Sequence, residues 1–318
     1  MRARRFFQAP LVCLSLIAIH ASHIRAEQPD AGDRSKSTES APPRGLAAAN
    51  GFLNRGLHDL AVEEYRRFLT DHSDHADAPI ARYGLSVALF RQGNLEEAAG
   101  ELVALKSDGE FAYRAEVLVM LGQCRLALRD PGGAVECLKT VVTDFGGHAL
   151  ADDAAALMVE AQYRSDQWSE ASKACRRFVE KWPDSPGLDR ALYFGGLSDL
   201  HEGQSKSVID RFSLLRERRG DSPFAGHATL LLAQSLHGAN RLDEAVDRYQ
   251  DVIKGENKAH HVPAVLGIAS IERQKGDIAA AAERLEPLTS GDAAGQLDAA
   301  AWMLIGRVRF DQGRYEPA

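Results

Sequence analysis

The chain is poor in cysteine, and the few cysteines are not spaced for a metal site or a disulfide framework. It holds 4 cysteines in 318 residues, and no two of them form a Cys-x-x-Cys pair. That absence argues against a zinc ribbon and against a thioredoxin-type redox site. Three cysteines follow residue 26, and an odd number cannot all pair within one chain. We therefore expect Cys124, Cys137 and Cys175 to be small buried side chains.

The common sequence patterns of catalytic sites are missing as well. The sequence has no Gly-x-Ser-x-Gly, no phosphate-binding loop and no Gly-x-Gly-x-x-Gly. The pair His201-Glu202 would need a second histidine three residues after the glutamate to form a zinc-protease helix, and that position is Ser205. We therefore predict that the protein is not an enzyme and that it needs no cofactor.

One loop does gather potential metal ligands. The stretch "DHSDHAD", residues 71–77, holds two histidines and three aspartates. A closed zinc site needs four ligands at fixed geometry, so a solvated loop is the simpler interpretation and a metal-dependent protein is the alternative. The pair His260-His261 is a weaker candidate of the same kind. We predict no metal site.

No apolar run near the N-terminus is long enough to span a membrane. The run Leu11–Ile19 has nine residues, whereas a membrane-spanning helix needs about 20. It follows three arginines and precedes Ala26, which is the basic, apolar and small-residue order of a secretory signal peptide. We expect residues 1–26 to be cleaved after Ala26, with Ala21 as a second candidate position, and the protein to be periplasmic or secreted. The segment "RRFF" at residues 4–7 fits a twin-arginine signal as well as an ordinary basic start, so the export route stays open.

Positive charge is scarce. The chain has 38 basic and 45 acidic residues, a net charge of −7. The 26-residue leader carries four arginines and no acid, so its removal leaves 34 basic and 45 acidic residues and a net charge of −11. Because phosphate contacts need clustered Lys and Arg, we predict no nucleic-acid partner. Residues 27–44 are polar, carry Pro and Ser, and show no apolar period, which is typical of a disordered linker.

The rest of the chain repeats one pattern every 36 or 37 residues. We take as the anchor of each copy the residue that follows Leu-Glu-Glu at Ala98. The anchors are Ala61, Ala98, Ala134, Ala171, Val208, Ala245, Ala281 and Ala318. Small residues stand twelve positions before seven of the eight anchors, and small residues at this separation let two helices cross closely. These positions hold Ala49, Ser86, Gly122, Val159, Gly196, Ala233, Ala269 and Gly306.

A turn and a buried stripe complete each copy. Five residues before each anchor, the residue is usually Gly or Asn, which tolerates the left-handed backbone that ends a helix. These positions hold Gly56, Gly93, Arg129, Asp166, Gly203, Asn240, Gly276 and Gly313. Four and seven residues after the anchor, fourteen positions out of fourteen are of core type, which predicts an amphipathic second helix. Ser185-Pro186 and Ser222-Pro223 predict serine caps at helix starts.

This pattern resembles the tetratricopeptide repeat, most clearly in "YGLSVALFRQGNLEEAAGEL" and "FDQGRYEPA", over residues 45–318. The resemblance implies an all-α, right-handed superhelical solenoid of stacked helix-turn-helix repeats, with seven repeats and the first helix of an eighth. The family period is about 34, so the extra residues fall in the loops between repeats. Val159, Val208 and Pro131-Gly132-Gly133 depart from the pattern, so we expect the third to fifth repeats to be the least regular.

The resemblance also implies where a partner binds. Exposed positions on the concave face of such an array fall eight, eleven and fifteen residues before the anchor. We predict a partner-binding face at or beside these positions, while several of the same side chains would simply pack between repeats. The candidates are Tyr83, Phe90, Tyr163, Arg164, Tyr193, Leu200, His237, Arg273, Arg307 and Phe310.

Loops such as "FVEKWPDSP" and "RERRGDSP" resemble those of periplasmic members of the family that act in outer-membrane assembly, Tol-Pal-linked envelope maintenance or polysaccharide export. We expect an exported scaffold that binds a protein or peptide. One alternative is an envelope-assembly or cell-division accessory factor that docks a membrane complex. Another is the N-terminal arm of a longer enzyme or of a secretion or polysaccharide-export subunit. Because the eighth repeat stops at its anchor, we expect a fragment of a longer array; otherwise its bare first helix is a docking surface.

Overall fold

The computed structural model describes residues 44–289, 294–295 and 297–313. The predicted signal peptide, residues 27–43 of the predicted linker and Ala318 lie outside the described residues. All regular structure within the described ranges is helical, and the predicted all-α fold is confirmed. Arg44, expected in the linker, is the first residue of the first helix.

Fifteen helices are described, and they come in pairs joined by short turns. The first helices of the pairs are α1 (Arg44–Asn54), α3 (Ala78–Gln92), α5 (Arg114–Ala127), α7 (Ala151–Arg164), α9 (Leu188–His201), α11 (Ala225–Gly238), α13 (His261–Gln274) and α15 (Ala299–Asp311). The second helices are α2 (His58–Asp71), α4 (Leu95–Lys106), α6 (Pro131–Asp144), α8 (Trp168–Lys181), α10 (Ser205–Arg218), α12 (Leu242–Lys254) and α14 (Ile278–Leu285). Short 3-10 turns precede α13 and follow α14.

The described residues form two compact units. The first contains residues 44–111 and 127–129, and the second contains residues 112–126 and 130–313. In the first unit α1 to α4 pack in chain order and α1 also contacts α3. In the second, α6 to α15 pack in chain order, and the pairs α7–α9, α11–α13 and α13–α15 are also in contact. Within each unit, consecutive helices therefore bury their apolar sides against one another, as stacked helical hairpins do.

The core follows the predicted stripe. All fourteen residues four and seven positions after an anchor are buried, and the seven described anchors have no exposed surface. Among those less than 2% exposed, the largest side chains are Tyr65, Phe178 and Phe212. Small residues twelve before the anchor serve the expected close crossing, since a Cβ on Gly196 would lie 2.4 Å from the ring of Phe212. The departures at Val159 and Val208 are fully buried and do not interrupt their helices.

The turn position adopts one backbone conformation in every copy. Within the described residues, positive φ angles occur only five residues before an anchor, at eight positions. Arg129 and Asp166 adopt it like the glycines, with φ of 61° and 58°. The Pro131-Gly132-Gly133 segment forms the first turn of α6 without a break, because the carboxylate of Asp130 accepts the N–H of Gly133 at 2.9 Å.

The predicted serine caps are wrong in position. The helices α9 and α11 begin at Leu188 and Ala225, three residues after Ser185 and Ser222. Each serine instead closes the turn before its helix by accepting the N–H two residues ahead. The same bond forms at four positions that lie fourteen residues after an anchor: His75, His148, Ser185 and Ser222, at 3.1, 3.2, 3.0 and 3.2 Å. One histidine of the 71–77 loop thus has a structural partner.

Candidate partner-binding face

The predicted binding residues divide by exposure. Arg164, Arg307 and Phe310 are exposed, and Phe90, Tyr163, His237 and Arg273 are half-buried. Tyr83 and Tyr193 are 7% and 4% exposed, so the prediction that they are exposed is wrong.

Both buried tyrosines are covered by aromatic side chains from outside their own helices. The ring of Tyr83 contacts the ring of Phe111 at 6.0 Å in an edge arrangement. The ring of Tyr193 stacks on Phe224, from the loop before α11, with centroids 4.6 Å apart. Both contacts are within the range of favourable ring pairs. They explain why these two side chains pack between elements instead of facing a partner.

In the second compact unit, a connected group of rings lies on the first helices and on the residues beside them, and we call it the aromatic band. Its members are Tyr163, Trp168, Tyr193, Phe194, His201, Phe224, His227 and His260. His201 stacks on Trp168 at 4.3 Å and lies 5.8 Å from Tyr163. Tyr163 in turn lies 5.5 Å from Phe194. The band therefore links consecutive first helices through rings.

Trp168 and Phe194 belong to the band although they were not among the predicted residues. Phe194 lies fourteen residues before its anchor, next to a predicted position, and Trp168 is the first residue of α8. The two stand at different places in their repeats, three and fourteen residues before the anchor, so no recurring aromatic pattern pointed to them.

A buried carboxylate lies beside the band. Glu160, in α7, is 3% exposed. It accepts a hydrogen bond from Arg190 of α9 and forms an ion pair with Arg164 at 2.5 Å. The side chain of Arg190 is 16% exposed, while that of Arg164 is 41% exposed and lies 5.9 Å from the ring of Phe194. One carboxylate thus faces two guanidinium groups, and only one of the two reaches solvent freely.

Polar bonds join the C-terminal ends of the later first helices. Arg273 of α13 binds Asp311 of α15 at 2.7 Å. His237 of α11 contacts the side-chain oxygen of Gln274 at 3.3 Å, and the Gln274 amide donates to Asn240 at 3.2 Å. These side chains are therefore held in place before any partner arrives.

The buried histidine of the band, His227, is neutral at physiological pH. Burial, with a further contribution from His260, lowers the pKa of His227 to about 4. Burial raises the pKa of Tyr193, so this hydroxyl keeps its proton, and it shares a hydrogen bond of 2.7 Å with Nδ1 of His227. The pair ties α9 to α11 without a net charge.

The expectation for the cysteines is confirmed, since Cys124, Cys137 and Cys175 are all buried. Burial raises the pKa of Cys175 to about 11, which suppresses the reactive thiolate. Across the described ranges, no three His, Cys, Asp or Glu side chains gather as a metal site would require. The same part of the chain contains no helix with the length and apolar character needed to cross a membrane.

Comparison with known proteins gives matches of two kinds. A tetratricopeptide repeat model matches residues 46–109 and a tetratricopeptide repeat-like domain model matches residues 162–299, together more than half of the chain. The outer membrane protein assembly factor BamD of Pasteurella multocida is 27% identical over 118 residues, which is 36% of this chain and 45% of that protein. The match thus spans less than half the length of this curated relative.

Two solved structures show the same fold at low identity. The C-terminal part of a TPR repeat-containing protein from Cytophaga hutchinsonii is 12% identical, with a TM-score of 0.63 over 82% of this chain and 99% of the other. YrrB, described as a TPR protein with an unusual peptide-binding site, is 15% identical, with a TM-score of 0.50 over 64% of this chain and 97% of its own. With the family models, the stacked hairpins and the recurrent turn in agreement, the chain belongs to the tetratricopeptide repeat family.

Proposed function

We propose that the protein is a non-enzymatic scaffold of the bacterial cell envelope that binds a peptide or protein on the exposed side of its first helices. The observation that carries this proposal is the row eight residues before the anchors in the second compact unit. It holds Tyr163, Leu200, His237, Arg273 and Phe310, and all five retain exposed surface. Leu200 and Phe310 are large apolar side chains that are 42% and 65% exposed.

The composition of this row suits partner binding. Aromatic and arginine side chains are the ones that most often anchor protein interfaces. The row is also held rigidly, because Tyr163 packs on Phe194 and Arg273 is bound to Asp311. A rigid surface loses little conformational freedom when a partner binds.

Two observations support an envelope location. The first 26 residues have the order of a secretory signal peptide. The similar protein from Pasteurella multocida is an outer membrane protein assembly factor.

Photo-crosslinking in cells tests the proposal. A photoreactive amino acid at position 200 or at position 237 should give the same cross-linked species, found in the envelope fraction with chains that start after Ala26. The matched control places it at Arg177, an exposed residue of α8. Cross-links of equal yield from all three positions, or a chain that stays in the cytoplasm with its leader intact, would contradict the proposal.

The similarity to BamD favours a second candidate, an accessory factor that docks a membrane complex during envelope assembly. Its distinguishing result is co-purification of the Leu200 cross-link with an integral membrane complex in mild detergent. A cross-linked partner that is soluble after osmotic release would favour the general scaffold instead.

A further inference from the structure

We infer that the turn before α7 is a proton-sensitive switch, in which protonation of His148 exchanges a hydrogen bond inside the turn for an ion pair with Glu116 of α5. The inference concerns a conformational device within the fold, and it does not depend on the proposed function.

The first step is the hydrogen bond that closes this turn. Nδ1 of His148 accepts the backbone N–H of Leu150 at 3.2 Å. A neutral imidazole has an acceptor on one ring nitrogen and a hydrogen on the other, so this bond requires the tautomer with its hydrogen on Nε2. An imidazolium carries a hydrogen on both nitrogens and accepts no hydrogen bond. The bond is therefore present in the neutral form of His148 and lost in the protonated form.

The second step is the carboxylate that faces the other ring nitrogen. Oε1 of Glu116 lies 3.5 Å from Nε2 of His148, and the two side chains are 24% and 32% exposed. Oε2 of Glu116 is buried and has no hydrogen-bond partner. A separation of 3.5 Å is long for a hydrogen bond from a neutral imidazole. Protonation should draw the two groups together, because a charge-assisted hydrogen bond is shorter and stronger than a neutral one.

The other charged groups around the loop have different contacts. The ammonium of Lys181 donates to a backbone carbonyl of the loop at 3.2 Å, and the carboxylate of Asp144 accepts from a threonine hydroxyl at 2.7 Å. Among the described residues, Glu116 is the acid within 4 Å of the His148 ring, and it is therefore the partner of the imidazolium. The charged residues at the surrounding helix ends are Arg114 and Glu116 of α5, Asp144 of α6, Asp152 and Asp153 of α7, and Glu180 and Lys181 of α8.

The equivalent turns of the next two repeats provide an internal comparison. Ser185 and Ser222 stand where His148 stands, and each accepts the N–H two residues ahead, at 3.0 and 3.2 Å. A serine hydroxyl keeps its lone pairs at any of these pH values, whereas histidine is the side chain whose charge changes between about pH 5 and 8. The turn before α7 should therefore open in mild acid, while the turns before α9 and α11 stay closed.

Hydrogen exchange read by mass spectrometry at pH 7.5 and pH 5.5 tests the inference with the full chain, after correction for the intrinsic effect of pH on exchange. Protection of residues 148–153 should fall about two- to tenfold in acid, as expected for the loss of one hydrogen bond. Residues 185–190 and 222–227 should keep their protection. This pH range stays above the pKa of about 4 of His227, which lies in the last of these segments.

Substitutions at position 148 separate the switch from a general effect of acid. His148→Ser installs the side chain that closes the equivalent turns, so residues 148–153 should be protected as in the wild type at pH 7.5 and should not respond to pH. His148→Ala removes the acceptor, and the same segment should show low protection at both pH values. Equal loss of protection at all three turns, no loss at residues 148–153, or a response to pH that persists in His148→Ser overturns the inference.

A substitution of Glu116 tests the second half of the exchange. Glu116→Gln removes the charge that attracts the imidazolium, so the loss of protection at residues 148–153 should shift to lower pH. The control Glu136→Gln makes the same change at an exposed position of α6 and should leave the midpoint where it is in the wild type. An unchanged midpoint in Glu116→Gln, or an equal shift in both variants, overturns the proposed ion pair and with it the inference.

Discussion

Replacing Gly84 by alanine isolates a close contact between consecutive repeats. Gly84 lies in the middle of α3, where a Cβ would fall 2.4 Å from Cζ and Oη of Tyr65. Tyr65 has no exposed surface, and its hydroxyl donates to the side-chain oxygen of Asn50 at 2.6 Å. The ring can make room only by moving within a packed core and weakening that bond. Gly100→Ala is the matched control, because Gly100 lies inside α4 with nothing within 4 Å of a new Cβ.

The two substitutions share the gain in helix propensity, and the Gly84 substitution alone carries a packing cost and a hydrogen-bond cost. Both replace glycine by alanine inside a helix, which stabilises the helix by about 1 kcal/mol. At Gly84 the added methyl also overpacks the core, at about 1–3 kcal/mol. Disturbing the Tyr65–Asn50 hydrogen bond costs about 0.5–1.5 kcal/mol more. We therefore expect Gly100→Ala to stabilise the first compact unit and Gly84→Ala to destabilise it by about 0.5–3.5 kcal/mol net.

Hydrogen exchange read by mass spectrometry is the suitable measurement. Repeat arrays open locally, so a single global unfolding free energy would blur the effect. Exchange of α3 amides should accelerate in Gly84→Ala and slow in Gly100→Ala. In a Tyr65→Leu background the ring is absent, and Gly84→Ala should then become stabilising. Equal effects of the two alanines in the wild-type background would refute the contact argument.

Two further predictions concern the turns and the aromatic band. Arg129 has a positive φ that glycine adopts without steric cost, so Arg129→Gly should raise the free energy of local opening of α6 by about 0.5–1 kcal/mol and slow its hydrogen exchange. Arg129→Ala keeps the steric cost of the positive φ and should leave the exchange rate unchanged. For His227, whose pKa falls from 6.5 to about 4 on folding, the neutral ring stabilises the fold above pH 6.5, and this contribution is lost as the pH falls toward 4. Exchange in α11 and α13 should accelerate over that range and should do so less in His227→Phe, which cannot be protonated; an unchanged pH profile would show that the ring is not the titrating group.

The repeat frame could be predicted from the sequence because its constraints recur at every copy. The residues four and seven after an anchor face the core each time, so fourteen independent positions report one geometry. The left-handed turn is predicted equally well, since even Arg129 and Asp166 adopt it where the frame demands it. The left-handed turn is a requirement of the backbone, so it acts on any residue that stands five positions before an anchor. A requirement that recurs at a fixed spacing can be detected from the periodicity of the sequence.

The candidate face is harder to predict because it depends on pairs of residues from different repeats. Tyr193 is buried because Phe224 and His227 cover it. The spacing of the repeats indicates neither the size of a neighbouring side chain nor the direction in which it points. The ion pairs of Glu160 could not be predicted for the same reason, because its two arginine partners come from α7 and α9. The fourteenth position after the anchor did carry a signal, because His or Ser stands there in four copies and both can accept a hydrogen bond from the turn.

The difference between positions that recur in every repeat and positions that vary explains where new chemistry can arise in this fold. Anchor, turn and stripe positions are fixed by packing, so a change there acts on stability. Gly84, fourteen residues before its anchor, is constrained in the same way by its contact with Tyr65. Positions on the exposed side of the first helices have no such constraint, and there the repeats differ most: Tyr163, Leu200 and His237 occupy equivalent places in three consecutive copies. The ion pair of Arg164 with Glu160 has no counterpart in the other described copies, since an acid stands eleven residues before the anchor in this copy alone. Glu160 is buried, so this pair belongs to the packing, and a substitution of Arg164 should act on stability. Leu200 is 42% exposed and lies outside that pair, so its replacement should change partner capture without changing the fold.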